Sequence, residues 1–110
     1  MIPEVKAGIP GPRSQDLAVR LAKHESRNVT YVDDAWPIFW EKADGVNVWD
    51  VDGNRFLDFT SAFGVTGLGH RNPEIVEAMK AQSDRLLHGM GDVHPTALKV
   101  ELCERLSQLT

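Results

Sequence analysis

The pair Asp52-Gly53, set between the β-rich runs Val46–Trp49 and Arg55–Phe59, most narrows what this chain can fold into. Glycine adopts positive φ without steric cost, and Asp-Gly between two such runs marks a tight hairpin. Val46 and Val48 alternate with Asn47 and Trp49, a period of two that gives a strand two distinct faces. Upstream, Asp44-Gly45 marks a second turn, and Ile38-Phe39-Trp40 after Pro37 fits the start of another strand. The result is a small antiparallel meander. Val29–Val32 is also β-rich and reads as a further strand before it.

Helical patterns flank the meander. Residues 1–13 carry three prolines and two glycines, so they read as an extended, flexible arm. Ser14 is a suitable N-cap for a helix ending near Ser26, with Leu17/Leu21 and Ala18/Ala22 as its stripe. After the glycine-bearing connection Ser61–Gly69, Asn72 and Pro73 open a second helix with Glu74 and Glu77 in its early turns. Ile75, Val76, Met79, Leu86 and Leu87 give it an apolar face, and Gly89 ends it near His88. A last helix starts at Pro95–Ala97 and carries Leu98, Leu102, Leu106 and Leu109, with Cys103 alongside as a small buried hydrophobe. It reaches Thr110 without a stop signal, so the chain reads as cut rather than finished.

Composition excludes several classes. A net charge of −4 with scattered Lys and Arg does not suit a duplex nucleic-acid binder. No apolar run is long enough to span a bilayer, so no membrane partner is expected. The single cysteine, Cys103, forms no internal disulfide and suits a reducing cytoplasm.

Two strings then carry a resemblance. Val48-Trp49-Asp50-Val51-Asp52-Gly53-Asn54-Arg55-Phe56-Leu57-Asp58-Phe59 is similar to the hairpin that opens the small domain of class III aminotransferases. Gly69-His70-Arg71-Asn72-Pro73-Glu74-Ile75-Val76-Glu77-Ala78 is similar to the loop and helix that come after it. Gly11-Pro12-Arg13-Ser14 and Leu86-Leu87-His88 agree with the same family, in the same order. The chain thus resembles the N-terminal segment of an enzyme of the 4-aminobutyrate/acetylornithine aminotransferase kind.

The fold class implied is an α+β segment (N-terminal helix, antiparallel meander, two helices) belonging to an α/β pyridoxal-phosphate-dependent transferase of fold type I. The implied division is an arm over 1–13, part of the small domain over 14–94, and over 95–110 the first helix towards a large cofactor-binding domain. The implied cofactor is pyridoxal 5'-phosphate, and the implied partners are a small-molecule amino donor, a keto acid and a second subunit of a homodimer. The amino donor stays open between an ω-amino acid, an ornithine derivative and similar amines. In the family the Schiff-base lysine, the acid beneath the pyridine ring and the phosphate-binding turn come from segments downstream of those matched here. The segment alone is therefore expected to be inactive, with no catalytic or cofactor-binding residue of its own. Other readings are a non-catalytic binding module, a pseudogene remnant, or another fold type I activity such as an aminomutase or decarboxylase.

The residues themselves agree on the lysines. Lys23, Lys80 and Lys99 lie on helices among polar neighbours, Lys42 sits beside Glu41, and Lys6 is in the arm. None has the desolvated or cationic setting that an aldimine-forming amine needs. The resemblance places Phe63 and Gly64 at the mouth of the active site. An aromatic ring between small residues can instead fill the small-domain core, and both readings stand. Asp92, in the loop Gly89–His94, is a third pocket candidate through a dimer contact, although a plain connector that caps the next helix is the simpler reading. His70 reads as scaffold at the start of a helix. His88, Asp92 and His94 lack metal-ligand spacing, and no metal is expected. Trp36, Trp40 and Trp49 read as core or subunit contact.

Overall fold

The computed structural model describes residues 2–27 and 29–110. The chain divides into two compact units, one running to Pro73 and the other from Glu74 to Thr110. The first is built on a three-stranded antiparallel sheet of β1 (Trp40–Asp44), β2 (Asn47–Asp50) and β3 (Arg55–Leu57), in that order. Both turns obey the glycine logic, with Gly45 at φ +57° and Gly53 at φ +83°. Val48 pairs with Ala43 on one side and Phe56 on the other, which leaves it 1 % exposed at the sheet's centre.

Two strand expectations need correction. No strand forms over 29–32. There the Glu25 carboxylate takes the Thr30 N–H and hydroxyl, each at 3.1 Å, so this stretch folds back on the preceding helix and has no strand to pair with. The strand expected from Ile38 begins at Trp40, paired with Asp50, and after an irregularity the regular ladder with β2 runs from Lys42.

Helix α1 (Pro12–His24) starts two residues before the expected cap. Its N-cap is Gly11, which has no side chain to cap with, and Ser14 is buried in the first turn. The cap arrives from the β2–β3 turn. Asp52 Oδ1 accepts the Arg13 N–H at 2.8 Å, and Oδ2 accepts the Ser14 N–H at 2.9 Å. These are two of the donors that a helix start leaves unpaired. Gly11 is needed for close approach, because a Cβ there would lie 2.3 Å from Asp52 Cγ.

The arm is extended but tied down. Of the span 1–13, residue 1 lies outside the described residues. Glu4 and Arg55 exchange backbone hydrogen bonds of 2.9 and 2.7 Å, adding a bridge beside β3. Asn54, fully buried, accepts the Lys6 and Ala7 N–H groups at 2.7 and 2.8 Å and donates to Gly8 O and Asp50 Oδ2. One amide side chain uses its acceptor and both donors here, so the arm is not the flexible setting expected for Lys6.

After the single turn α2 (Ser61–Gly64) comes α3, Pro73–Ser83, with Pro73 at its first position. It stops well before His88. The Gln82 side chain donates to Leu86 O at 2.9 Å and closes the chain into a turn, leaving Leu86 and Leu87 outside the helix. Helix α4 (Ala97–Leu109) is capped by the Thr96 hydroxyl, which accepts the Lys99 N–H, and not by Asp92. Neither helix buries a residue, and Cys103 is exposed rather than buried. Among the described residues the buried apolar side chains are Ala18, Val48, Pro10 and Pro37. Trp36 and Trp40 are about half exposed, and Lys42 Nζ lies 5.2 Å from the Trp49 ring centre, so the tryptophans form no core within this chain.

Candidate functional site

The chemistry of Asp58-Phe59-Thr60 sets the path of the chain beyond β3. An aspartate two residues before a threonine can fold back on the backbone beyond it. Asp58 Oδ1 accepts the Thr60 N–H at 3.0 Å and the Thr60 hydroxyl at 2.8 Å, while Oδ2 accepts the Ala62 N–H at 2.9 Å. The next turn is left-handed. Ser61, Ala62, Phe63 and Gly64 have φ of +50°, +48°, +59° and +83°. Only glycine adopts this region freely, and an L-residue loses roughly 1–2 kcal/mol there, so three in a row cost about 3–6 kcal/mol. Local hydrogen bonds oppose that cost, among them Gly64 N to Thr60 O and Thr66 N to Ser61 O, both 2.9 Å. A run of this kind persists only where its surroundings hold it, and such runs concentrate at functional sites.

His70 supplies the hold. Its backbone pairs with Gly45 in both directions, at 2.8 and 2.9 Å, which fixes the loop to the β1–β2 turn. Gly69, at φ +85°, allows that approach. The imidazole Nε2 is 2.8 Å from Asp58 Oδ2, with the two side chains 13 % and 3 % exposed. An ionised carboxylate only accepts, so Nε2 carries the hydrogen. Trp40 meets the imidazole edge-to-face, with ring centres 6.0 Å apart, and so fixes its plane. The His70 hydrogen bond is the largest influence on Asp58. Burial acts against it, but the Thr60 and Ala62 groups add to it, and the carboxyl is held below its usual range.

The turn delivers Phe63 to solvent. Its side chain is 97 % exposed, so Phe63 packs into no core formed by these residues. Gly64 sits at the end of the left-handed run. Beside them lies an open, mostly apolar groove of about 720 Å³, lined by Trp36, Trp40, Phe56, Ala62 and Phe63 among others. In the second unit, Asp92 is exposed in the turn closed by the Met90–His94 bridge. A recess of about 570 Å³ there is lined by Leu86, His88, Met90, His94 and Glu101, and Asp92 is not part of its wall. Asp58, which organises this turn, is the residue that sequence reasoning missed. Its signal was the spacing to Thr60, hidden inside what read as a strand.

A group that binds as an aldimine needs a desolvated amine, and this chain does not offer one. All five lysines are exposed. Lys6 and Lys80 sit near Glu4 and Glu77 at 4.0 and 2.8 Å, and Lys99 donates to Gly91 O at 2.7 Å. Among the described residues, no group of three or more His, Cys, Asp or Glu side chains is placed to hold a metal ion. No helix of the described residues is long and apolar enough to cross a membrane.

Comparison with known proteins gives this geometry its setting. The chain is 44% identical over 72 residues to glutamate-1-semialdehyde 2,1-aminomutase of Methanothrix thermoacetophila, covering 64% of this chain and 16% of that protein. It is 43% identical over 72 residues to 2-aminoadipate transaminase of Pseudomonas putida, covering 66% and 17%. The chain spans about a sixth of the length of the curated relatives it matches. Among solved structures it resembles acetylornithine aminotransferase of Elizabethkingia anophelis, with TM-score 0.72, 29% identity, and coverage of 87% of this chain and 24% of that one. It also resembles taurine:2-oxoglutarate aminotransferase of Bifidobacterium kashiwanohense, solved with PLP and glutamate, with TM-score 0.71, 28% identity, and coverage of 86% and 21%. These neighbours bear out the expected helix-and-meander segment of a fold type I transferase. The model of the family described as "Aminotransferase class-III" matches residues 29–110, and the chain belongs to that family.

Proposed function

We propose that this chain supplies the substrate-facing front of a pyridoxal-phosphate-dependent aminotransferase, which moves an amino group from an amine or ω-amino acid to a keto acid. The observation that carries the reading is the left-handed turn that holds Phe63 in solvent beside an apolar groove, inside the segment matched by the family. Phe63 and Gly64 are the pocket residues, the ring as a wall and the glycine as the opening beside it. Asp92 is a third candidate, through a dimer contact. The cofactor supplies the electron sink for the chemistry, and the groups that hold it belong to protein beyond these residues, as the five exposed lysines suggest. On the same reading, residues 14–94 belong to the small domain, and 95–110 lead into the large one. Exposed apolar surface on Phe59, Leu68, Leu87 and Leu109 supports completion by further protein and by a homodimer partner. The exposed Cys103 thiol suits a reducing cytoplasm.

The test replaces the corresponding segment of the acetylornithine aminotransferase with this chain. The chimera is expected to be a PLP-loaded dimer that transaminates, with Phe63→Ala changing the KM for the amino donor and leaving PLP loading intact. A folded, PLP-loaded chimera with no transfer from any amine or ω-amino acid would overturn the reading. The identity to the aminomutase favours a second reading, in which the amino group moves within one substrate. That reaction would proceed without an added keto acid acceptor, which separates the two.

A further inference from the structure

Asp58 and His70 form an arrangement that the proposed function does not use. His70 does not line the groove, Asp58 forms part of its wall beneath the exposed turn, and both side chains are mostly buried. A single carboxylate oxygen, Oδ2, joins the Ala62 N–H at 2.9 Å to the His70 ring at 2.8 Å. Ala62 is the middle of the three non-glycine residues forced to positive φ, with φ +48° and ψ +54°, and Phe63 is next to it. The His70 ring is itself fixed, by its backbone pairing to Gly45 and by the Trp40 ring. The sheet therefore reaches the turn by one continuous path: Gly45, His70, Asp58, Ala62, Phe63.

We propose that Asp58 and His70 are positioning residues: His70 holds the Asp58 carboxylate against the Ala62 amide, and this hold fixes the left-handed turn that aims the Phe63 ring at the amino substrate. The proposal rests on the aminotransferase reading for its functional consequence. The structural half stands on the hydrogen bonds alone. If the link breaks, the three strained residues relax towards negative φ, and the ring leaves its place without any change at the groups that bind the cofactor. The loss belongs to substrate approach, not to the chemical step.

The experiment uses the chimeric holoenzyme and compares His70→Ala, His70→Gln and Phe63→Ala, with PLP absorbance confirming that each is folded and loaded. His70→Ala is expected to raise the KM for the amino donor about tenfold while kcat changes by less than about threefold. His70→Gln should restore most of that loss, because its amide nitrogen can donate to Asp58. A merely structural role would not give this rescue. In a Phe63→Ala background, His70→Ala should add little, since the two act through one ring. An unchanged KM in His70→Ala, or effects that simply add, overturns the proposal. Hydrogen exchange at the Ala62 amide provides a readout without activity. The amide should be protected in the parent and in His70→Gln, and should exchange at the open-coil rate in His70→Ala. If the chimera fails to transaminate while this pattern holds, the aminotransferase reading fails and the positioning link stands. Equal protection in the parent and His70→Ala refutes the link itself.

Discussion

Removing the borrowed cap of α1 with Asp52→Ala tests whether this helix depends on a residue 38 and 39 positions away. In the parent, the carboxylate binds two N–H groups of the first turn, at 2.8 and 2.9 Å, and puts a negative charge at the positive helix end. Loss of a helix cap costs about 0.5–2 kcal/mol. Two bonds to an ionised acceptor place this site near the upper end, and partial exposure of Asp52 discounts it, giving about 1–1.5 kcal/mol. That corresponds to roughly 5–13-fold faster hydrogen exchange at the Arg13 and Ser14 amides if they open locally. Exchange at these two amides at neutral pH is the assay, with far-UV circular dichroism reporting helix content. The pH dependence gives a second check. Burial pushes the Asp52 carboxyl up, but the Arg13 and Ser14 N–H groups and the Arg13 charge outweigh it, and the group ends below its usual value. With a depressed folded pKa, the contribution is fully present above the unfolded value of about 3.9 and is lost as pH falls through the folded value. Asp52→Ala should abolish that acid-dependent fraction. If the Ser14 amide exchanges within twofold of the parent at neutral pH, the cap does not work as described.

Three further outcomes are expected from the geometry. The Asp58 carboxyl is also held low, first by His70, so Ala62 amide protection should be complete above pH about 4, fade as acid protonates Asp58, and be weaker at neutral pH in Asp58→Asn. Asn54→Ala should destabilise the first unit by about 2–4 kcal/mol, because it strands the Lys6 and Ala7 donors and removes the side-chain donor to buried Asp50 Oδ2. Tryptic cleavage after Lys6 should then accelerate, and unchanged cleavage would show that the arm is held by other contacts. Phe63→Ala should leave urea stability within about 0.5 kcal/mol of the parent, since the ring is 97 % exposed, and a larger loss would return Phe63 to a packing role.

The family and much of the local architecture were legible in the residues, and the exceptions share a cause. The two glycine turns, Pro73 at the start of α3 and the period of two through Val48 are set by the conformational limits of a few adjacent residues. Sequence reports those limits directly. The meander and the helix order came from them. The cap of α1 did not, because Ser14 satisfied the local rule while the fold brought Asp52 to the same N–H groups from far along the chain. The stretch 29–32 had strand propensity but no partner strand, and α3 ended early because the Gln82 amide found the Leu86 carbonyl. Phe63 stood equally between core and pocket on sequence grounds. Its exposure was decided by three non-glycine residues held at positive φ, which no local preference favours. Tertiary structure fixed that turn by bringing Asp58, His70, Gly45 and Trp40 together across the sheet, where their combined hydrogen bonds and ring contact hold a conformation that Ser61–Gly64 would not adopt alone.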